Sequence, residues 1–98
     1  MKLSILLTSG FGSEDTRTVK KIAEAALRQG HKVDLFLMDN GVYNIPALAE
    51  LVPNGASITI CTHNADQRAV DKPSDIVLGS QCEWANLLHE ADRVISFG

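Results

Sequence analysis

The two cysteines are the residues of this sequence best suited to chemistry. Cys61 ends an apolar run that contains Ile58 and Ile60, and Cys82 lies just ahead of Trp84 in an amphipathic segment. A cysteine thiolate is a nucleophile that attacks disulfides and other activated sulfur compounds. A free cysteine can equally be a small buried hydrophobic residue, so the sequence leaves a reactive role and a packing role open for each.

Polar residues follow Cys61 closely. His63 lies two positions further on, where it could add a positive charge or accept a proton, and Arg68 could stabilise an anion. Cys61 also precedes a predicted helix beginning at Asn64, which with Gln67 has the spacing of a capping box. The free N–H groups at such a helix start favour a thiolate. We therefore take Cys61, His63 and Arg68 as candidate site residues.

Cys82 has a separate claim to reactivity. Ser80 and Glu83 have the spacing of a capping box, which places Cys82 in the first turn of the last helix. That position is close to the positive end of the helix dipole, although packing beneath Trp84 is the favoured explanation for a cysteine there. If the two sulfurs approach each other, Cys82 could resolve a species formed on Cys61.

Cofactor and metal binding have weaker support. The loop from Ser9 to Ser13 is glycine-rich, but it lacks the phosphate-loop pattern, and Glu14 and Asp15 would repel a phosphate. Cys61 and His63 lie close in sequence, but no second cysteine or histidine pair stands at ligand spacing. We expect no nucleotide, flavin or other cofactor and no metal.

The pattern of elements places both cysteines at one edge of a sheet. Apolar runs and helical periodicities predict strands over 2–8, 32–38, 57–61, 75–79 and 93–97, with helices after Ser13, over 45–52, after Asn64 and after Ser80. This alternation predicts an α/β fold of three αβα layers around a five-stranded, mostly parallel, doubly wound, flavodoxin-like sheet. Reactive groups in such folds gather outside the carboxyl ends of the strands, where Cys61 and Cys82 both fall.

Size and charge limit the other possibilities. The 98 residues show no break in composition, which predicts one domain over 1–98. A net charge of -3 without a basic cluster argues against nucleic acid as a partner. The first apolar run is too short for a signal peptide or a membrane span, so we expect a cytoplasmic protein with reduced thiols and no membrane contact.

The order of these segments resembles the DsrE-like family of sulfur-relay proteins. The resemblance rests on the first strand at 2–8, the helix end at 26–33, the turn at 36–42, the third strand ending in Cys61, and the last segment at 91–97. It implies that Cys61 accepts sulfur as a persulfide and passes it to a sulfur-carrier protein or another thiol partner. It also implies a homo-oligomer, a trimer or hexamer.

The segment from Thr62 to Ala65 is more polar than the resemblance leads one to expect, and the chain is shorter. These departures bear on the specific pathway and partner more than on the thiol role. Two other functions stay open beside a persulfide carrier. The cleft could bind a small molecule without covalent chemistry, or the chain could be a structural subunit of an oligomer without thiol chemistry. Retention of ligand binding without Cys61 would identify the first, whereas a structural subunit needs neither thiol.

Overall fold

The computed structural model describes residues Met1–Gly98 as strands and helices in alternation. The strands are β1 (Lys2–Leu7), β2 (Lys32–Leu37), β3 (Ser57–Cys61), β4 (Val77–Gly79) and β5 (Arg93–Phe97). The α-helices are α1 (Glu14–Arg28), α2 (Ile45–Leu48), α3 (Thr62–Gln67) and α4 (Gln81–Glu90), with 3₁₀ turns at Asp39–Asn44 and Ala49–Leu51 on either side of α2.

All five strands run parallel in the order β4-β3-β2-β1-β5. The predicted α/β fold around a five-stranded parallel sheet is therefore confirmed. The strand order is not the 2-1-3-4-5 order of flavodoxin, because β2 to β4 extend the sheet in one direction and β5 then returns to the other side of β1. The carboxyl ends of β2, β3 and β4 consequently lie side by side.

The two faces of the sheet are covered unequally. Helices α1, α2 and α3 cover one face, and their apolar residues share the main core with alternate residues of β1, β2 and β3, such as Ile5, Leu35 and Ile60. The other face is covered by α4 alone. Its small core contains Phe36, Cys61 and Trp84.

Most predicted helix ends are confirmed. Ser13 is the N-cap of α1 and accepts a hydrogen bond from the Thr16 N–H, and Gly30 adopts the left-handed conformation (φ 84°) that ends this helix. The predicted start of α3 at Asn64 is wrong, because α3 begins at Thr62 with Cys61 as N-cap. The Asn64 side chain instead accepts a hydrogen bond from another loop.

Buried hydrogen bonds hold the loops at the carboxyl edge together. Asn44 is fully buried, and its side-chain amide donates to the carbonyls of Ser9 and Gly41 at 2.8 and 3.1 Å. Its Oδ1 accepts from the Thr16 hydroxyl at 2.7 Å. The loops after β1 and β2 are thereby fixed to each other and to α1.

Helix α4 is attached to the sheet at few points. Trp84 is the one buried residue of this helix. Near its end, the Ser4 hydroxyl donates to the carbonyl of Leu87 at 3.3 Å, and the Lys2 ammonium contacts Glu90 at 2.9 Å. The side of the sheet that holds Cys61 therefore has a thin cover.

Candidate functional site

Cys61 stands where β3 ends and α3 begins, and it is 6% exposed. It pairs with Gly79 across the β3–β4 ladder, and its side chain packs in the small core with Phe36 and Trp84. The two aromatic rings lie 5.5 Å apart between centroids at an interplanar angle of 43°. The thiol is thus sheltered by aromatic side chains on the face beneath α4.

A cleft of about 540 Å³ opens at the carboxyl ends of β2, β3 and β4, and Cys61 forms part of its wall. The residues around it come from three chain segments that each begin at a strand end. They are Met38, Asp39, Cys61, Thr62, His63, Asn64, Asp66, Gly79, Ser80 and Gln81. Cys61 is therefore buried in the fold on one side and borders a polar cleft on the other.

Side-chain contacts hold the walls of this cleft together. The Thr62 hydroxyl donates to the carbonyl of Gly79 at 3.1 Å, joining the segments that follow β3 and β4. The side-chain amide of Gln81 lies 3.6 Å from the sulfur of Met38, joining α4 to the end of β2. The segments that form the cleft are therefore joined to one another by side-chain contacts.

Gly79 allows α4 to begin close to β3. A Cβ atom at this position would lie 2.6 Å from Cγ2 of Thr59 and 3.3 Å from Cβ of Glu83. Glycine avoids both contacts, so the first turn of α4 can pass directly over the sheet. Ser80 and Gln81 reach the cleft for this reason.

The predicted helpers of Cys61 occupy different places. His63 is exposed and borders the cleft together with Cys61. Arg68 does not border it: its Nε donates to Oδ1 of Asn40 at 3.0 Å, and its Nη1 donates to the carbonyl of Asn64 and to Oε1 of Gln67, both at 3.4 Å. The guanidinium therefore ties the loop after β2 to α3.

Cys82 is exposed in the first turn of α4 and does not border the cleft. The predicted capping box is confirmed: the Ser80 hydroxyl accepts from the Cys82 N–H at 3.1 Å, and Glu83 accepts from the Ser80 N–H. The Ser80 hydroxyl also donates to the Glu83 carboxylate, which lowers the pKa of Glu83 below its ordinary value. The Glu83 carboxylate thus places a negative charge within the first turn of α4.

Sequence reasoning gave no individual role to Met38, Asp39, Asp66 or Gln81, which line the cleft. Asp39 belonged to a predicted turn, and only the rule that reactive groups gather at carboxyl ends pointed to it. It has φ of 50°, a left-handed backbone conformation that aspartate tolerates better than most residues. Asp66 carries no motif of its own and reaches the cleft because α3 folds back beside β3.

No group of three or more histidine, cysteine, aspartate or glutamate side chains is arranged to hold a metal ion. No helix combines the length and apolar character that crossing a membrane requires.

The model of the DsrE/DsrF-like family matches residues 1–97. This chain belongs to the DsrE/DsrF-like family. An uncharacterized protein of Methanocaldococcus jannaschii, MJ0989, is 27% identical over 115 residues, covering 99% of this chain and all of its own. The crystal structure of the YchN protein of E. coli superposes with a TM-score of 0.81 at 23% identity, covering 98% of this chain and 97% of that one. The fold is thus that of YchN, and family membership suggests sulfur relay in general.

Proposed function

We propose that this protein carries sulfur as a persulfide on Cys61 and passes it to the thiol of a partner protein. The observation that carries the proposal is the position of Cys61, which borders the cleft while its remaining surface is packed against Phe36 and Trp84. A persulfide needs access for one reacting sulfur and shelter from oxidants. A thiol at a cleft wall, 6% exposed, meets both needs.

The proposed reaction needs no cofactor. The Cys61 thiolate attacks the terminal sulfur of a donor persulfide R–S–SH, the donor S–S bond breaks, and R–S⁻ leaves, so that Cys61 becomes a persulfide. Delivery repeats the step with a partner thiolate attacking the outer sulfur and Cys61 leaving as the thiolate. His63 borders the cleft and is proposed to exchange protons with the departing sulfur. Since the chemistry requires reduced thiols, we place it in the cytoplasm.

The proposed role of Arg68 is positional. Its bonds to Asn40, Asn64 and Gln67 fix the loop after β2 against α3, beside Cys61. We therefore assign the tuning of the persulfide anion to His63 and the cleft rather than to Arg68.

Cys82 offers a second way to release sulfur. Attack of its thiolate on the inner sulfur of the Cys61 persulfide would form a Cys61–Cys82 disulfide and expel HS⁻. Cys82 is exposed and is not among the residues that line the cleft with Cys61. We therefore favour transfer to a partner thiol, and the experiment below separates the two routes.

Intact-protein mass spectrometry after incubation with a polysulfide at about 1 M salt, which screens the charges around the cleft, tests the proposal. We expect the native chain and Cys82→Ser to gain one sulfur, with Cys61→Ser gaining none, and a thiol acceptor to remove the added sulfur from both loaded chains. Loading on Cys61→Ser would contradict the assignment. If the native chain instead becomes lighter than its reduced form by two hydrogens, and Cys82→Ser does not, then sulfur is released through a Cys61–Cys82 disulfide. Failure of every chain to load would favour a noncovalent binding site.

Self-association is proposed from the thinly covered face of the sheet. Strand register places Val77 beside Thr59 and Val94 beside Ser4, on the side that α4 covers. The two valines are 57% and 41% exposed, one on each edge strand. Exposed apolar side chains on a face with few covering residues favour burial against another copy of the chain, consistent with a trimer or hexamer.

A further inference from the structure

The charged groups around the cleft are predominantly acidic. Asp39 and Asp66 are the carboxylates among its lining residues, which include no lysine or arginine, and His63 is the remaining titratable base. The three ion pairs of the chain are Lys2–Asp34, Lys2–Glu90 and Lys20–Glu50, so neither cleft aspartate is neutralised by one. A compound that approaches Cys61 through the cleft therefore meets two carboxylates that no ion pair neutralises.

Two nearby positive groups are engaged by neighbouring side chains. The Arg68 guanidinium donates to the neutral groups of Asn40, Asn64 and Gln67, so it keeps its charge but lies outside the cleft lining. The N–H group of Ser80, at the start of α4, donates to the Glu83 carboxylate, whose lowered pKa keeps that group ionised. The start of α4, one of the two helix ends at the cleft, is therefore already paired with a carboxylate.

We infer that Asp39 and Asp66 make the cleft selective for uncharged or cationic sulfur compounds and against anionic ones such as thiosulfate. This inference rests on the proposed function, because it concerns the compound that meets Cys61. Charges of the same sign repel, and the repulsion between an anionic donor and two exposed carboxylates is greatest at low ionic strength. A persulfide carried on an uncharged or basic group avoids this repulsion.

Charged thiol reagents measure this selectivity directly. In Cys82→Ser, which leaves Cys61 as the sole thiol, the thiolate attacks an alkyl methanethiosulfonate R–S–SO₂CH₃, forming Cys61–S–S–R and releasing methanesulfinate. Three reagents with trimethylammonium, hydroxyl and sulfonate groups differ in charge. Each rate is divided by the rate of the same reagent with 2-mercaptoethanol, which removes differences in intrinsic reactivity.

We expect the normalised rate of the cationic reagent to exceed that of the anionic reagent about tenfold at about 10 mM salt, and the ratio to approach one at about 1 M salt. Adding Asp39→Asn and Asp66→Asn together should bring the ratio close to one at low salt. Asparagine also tolerates the left-handed backbone of residue 39. The bond to Asn64 uses the backbone N–H of that residue and survives the change.

The matched control is Asp71→Asn with Asp75→Asn, which removes the same charge from exposed positions outside the cleft lining. It should leave the cation-to-anion ratio largely unchanged. The inference is overturned if the cation-to-anion ratio of Cys82→Ser is one or less at low salt, or if no reagent reacts. It is also overturned if the cleft variant keeps the ratio of Cys82→Ser, or if the control lowers the ratio as much as the cleft variant does. Modification by these reagents does not require persulfide chemistry. If the expected cation-to-anion ratio is found but Cys61 takes up no sulfur, only the proposed function is overturned.

Discussion

The backbone N–H of Asp39 donates a hydrogen bond to Oδ1 of Asn64 at 2.9 Å. This bond joins the loop after β2 to α3 directly beside Cys61, and it gives a partner to the left-handed residue at the start of that loop. Asn64 is thus a positioning residue: it holds one wall of the cleft against the segment that carries the thiol.

Replacing Asn64 with alanine should therefore loosen this wall. We expect Asn64→Ala to lower the free energy of unfolding by about 1 kcal/mol, the usual net value of one hydrogen bond, as measured by urea denaturation. Asp66→Ala is the control, because it lies on the same helix and its side chain makes no hydrogen bond in the structure. Equal losses in the two variants would show that the Asp39 bond contributes nothing measurable.

Gly41 should tolerate no side chain. A Cβ atom there would lie 2.0 Å from the carbonyl oxygen of Leu7, so β1 and the turn after β2 would have to separate. We expect Gly41→Ala to lower the free energy of unfolding by about 3 kcal/mol or more. Gly10→Ala is the matched control in the neighbouring loop, where the new Cβ would meet Asn40 at an ordinary 3.5 Å. Similar stability of the two variants would contradict the close packing.

The sequence predicted the elements well where apolar periodicity is strong. The strand at 2–8, the helix that begins after Ser13 and the capping box at Ser80 all follow from local patterns, and each is present. The position of β5 beside β1 could not be predicted, because strand order depends on which faces of the sheet the helices cover. That choice is made by tertiary packing rather than by any local segment.

The candidate site was predicted only in part for the same reason. Cys61 and His63 follow one strand end and both reach the cleft, whereas Arg68 is drawn away by Asn40 from a loop distant in sequence. Asp66 resembles any exposed helical aspartate until α3 is placed beside β3. Contacts between distant segments determine which polar residues lie near Cys61, and residue spacing in the sequence does not predict such contacts.

Acid should weaken the start of α4. Because hydrogen bonds from the Ser80 hydroxyl and N–H hold the pKa of Glu83 below its ordinary value of 4.5, the ionised carboxylate stabilises the fold above that pH. This contribution is lost as the pH falls through the lower, folded-state pKa. We expect Glu83→Gln to reduce stability at neutral pH and to differ less from the native chain at about pH 3.

Thermal unfolding at several pH values measures this effect. Glu14→Gln is the control, since Glu14 is an exposed glutamate in the first turn of α1 whose side chain makes no hydrogen bond in the structure. A constant difference between Glu83→Gln and the native chain at all pH values would contradict the predicted linkage to Glu83.

Charge placed on the thinly covered face should oppose self-association. We expect the native chain to sediment as a multimer and the double variant Val77→Lys with Val94→Lys to sediment as a smaller species, because a buried, unpaired ammonium is costly. Thr18→Lys, on an exposed position of α1, should sediment as the native chain does. A native monomer, or a multimer unaffected by the two lysines, would exclude this face as the contact.

Trp84 should control access to Cys61 from beneath α4. It is 8% exposed and shares the small core with Phe36 and Cys61, so Trp84→Ala removes most of the cover that α4 provides. In the Cys82→Ser background, which serves as the native reference because Cys61 is then the sole thiol, we expect a loss of about 3 kcal/mol or more in unfolding free energy and faster modification of Cys61 by a neutral methanethiosulfonate. Trp84→Phe keeps an aromatic ring and should change both quantities less.

A reagent can reach Cys61 either through the cleft of the folded chain or only after global unfolding, and the two routes predict different modification rates. If modification occurs only in the unfolded chain, its rate should rise in proportion to the unfolded fraction measured for each variant. If the cleft gives access in the folded state, the native chain should already react faster than its unfolded fraction permits, and Trp84→Ala should add to that rate. A native rate equal to the unfolded-state expectation would show that the cleft does not admit even a small reagent to Cys61, which would remove the basis for sulfur transfer there.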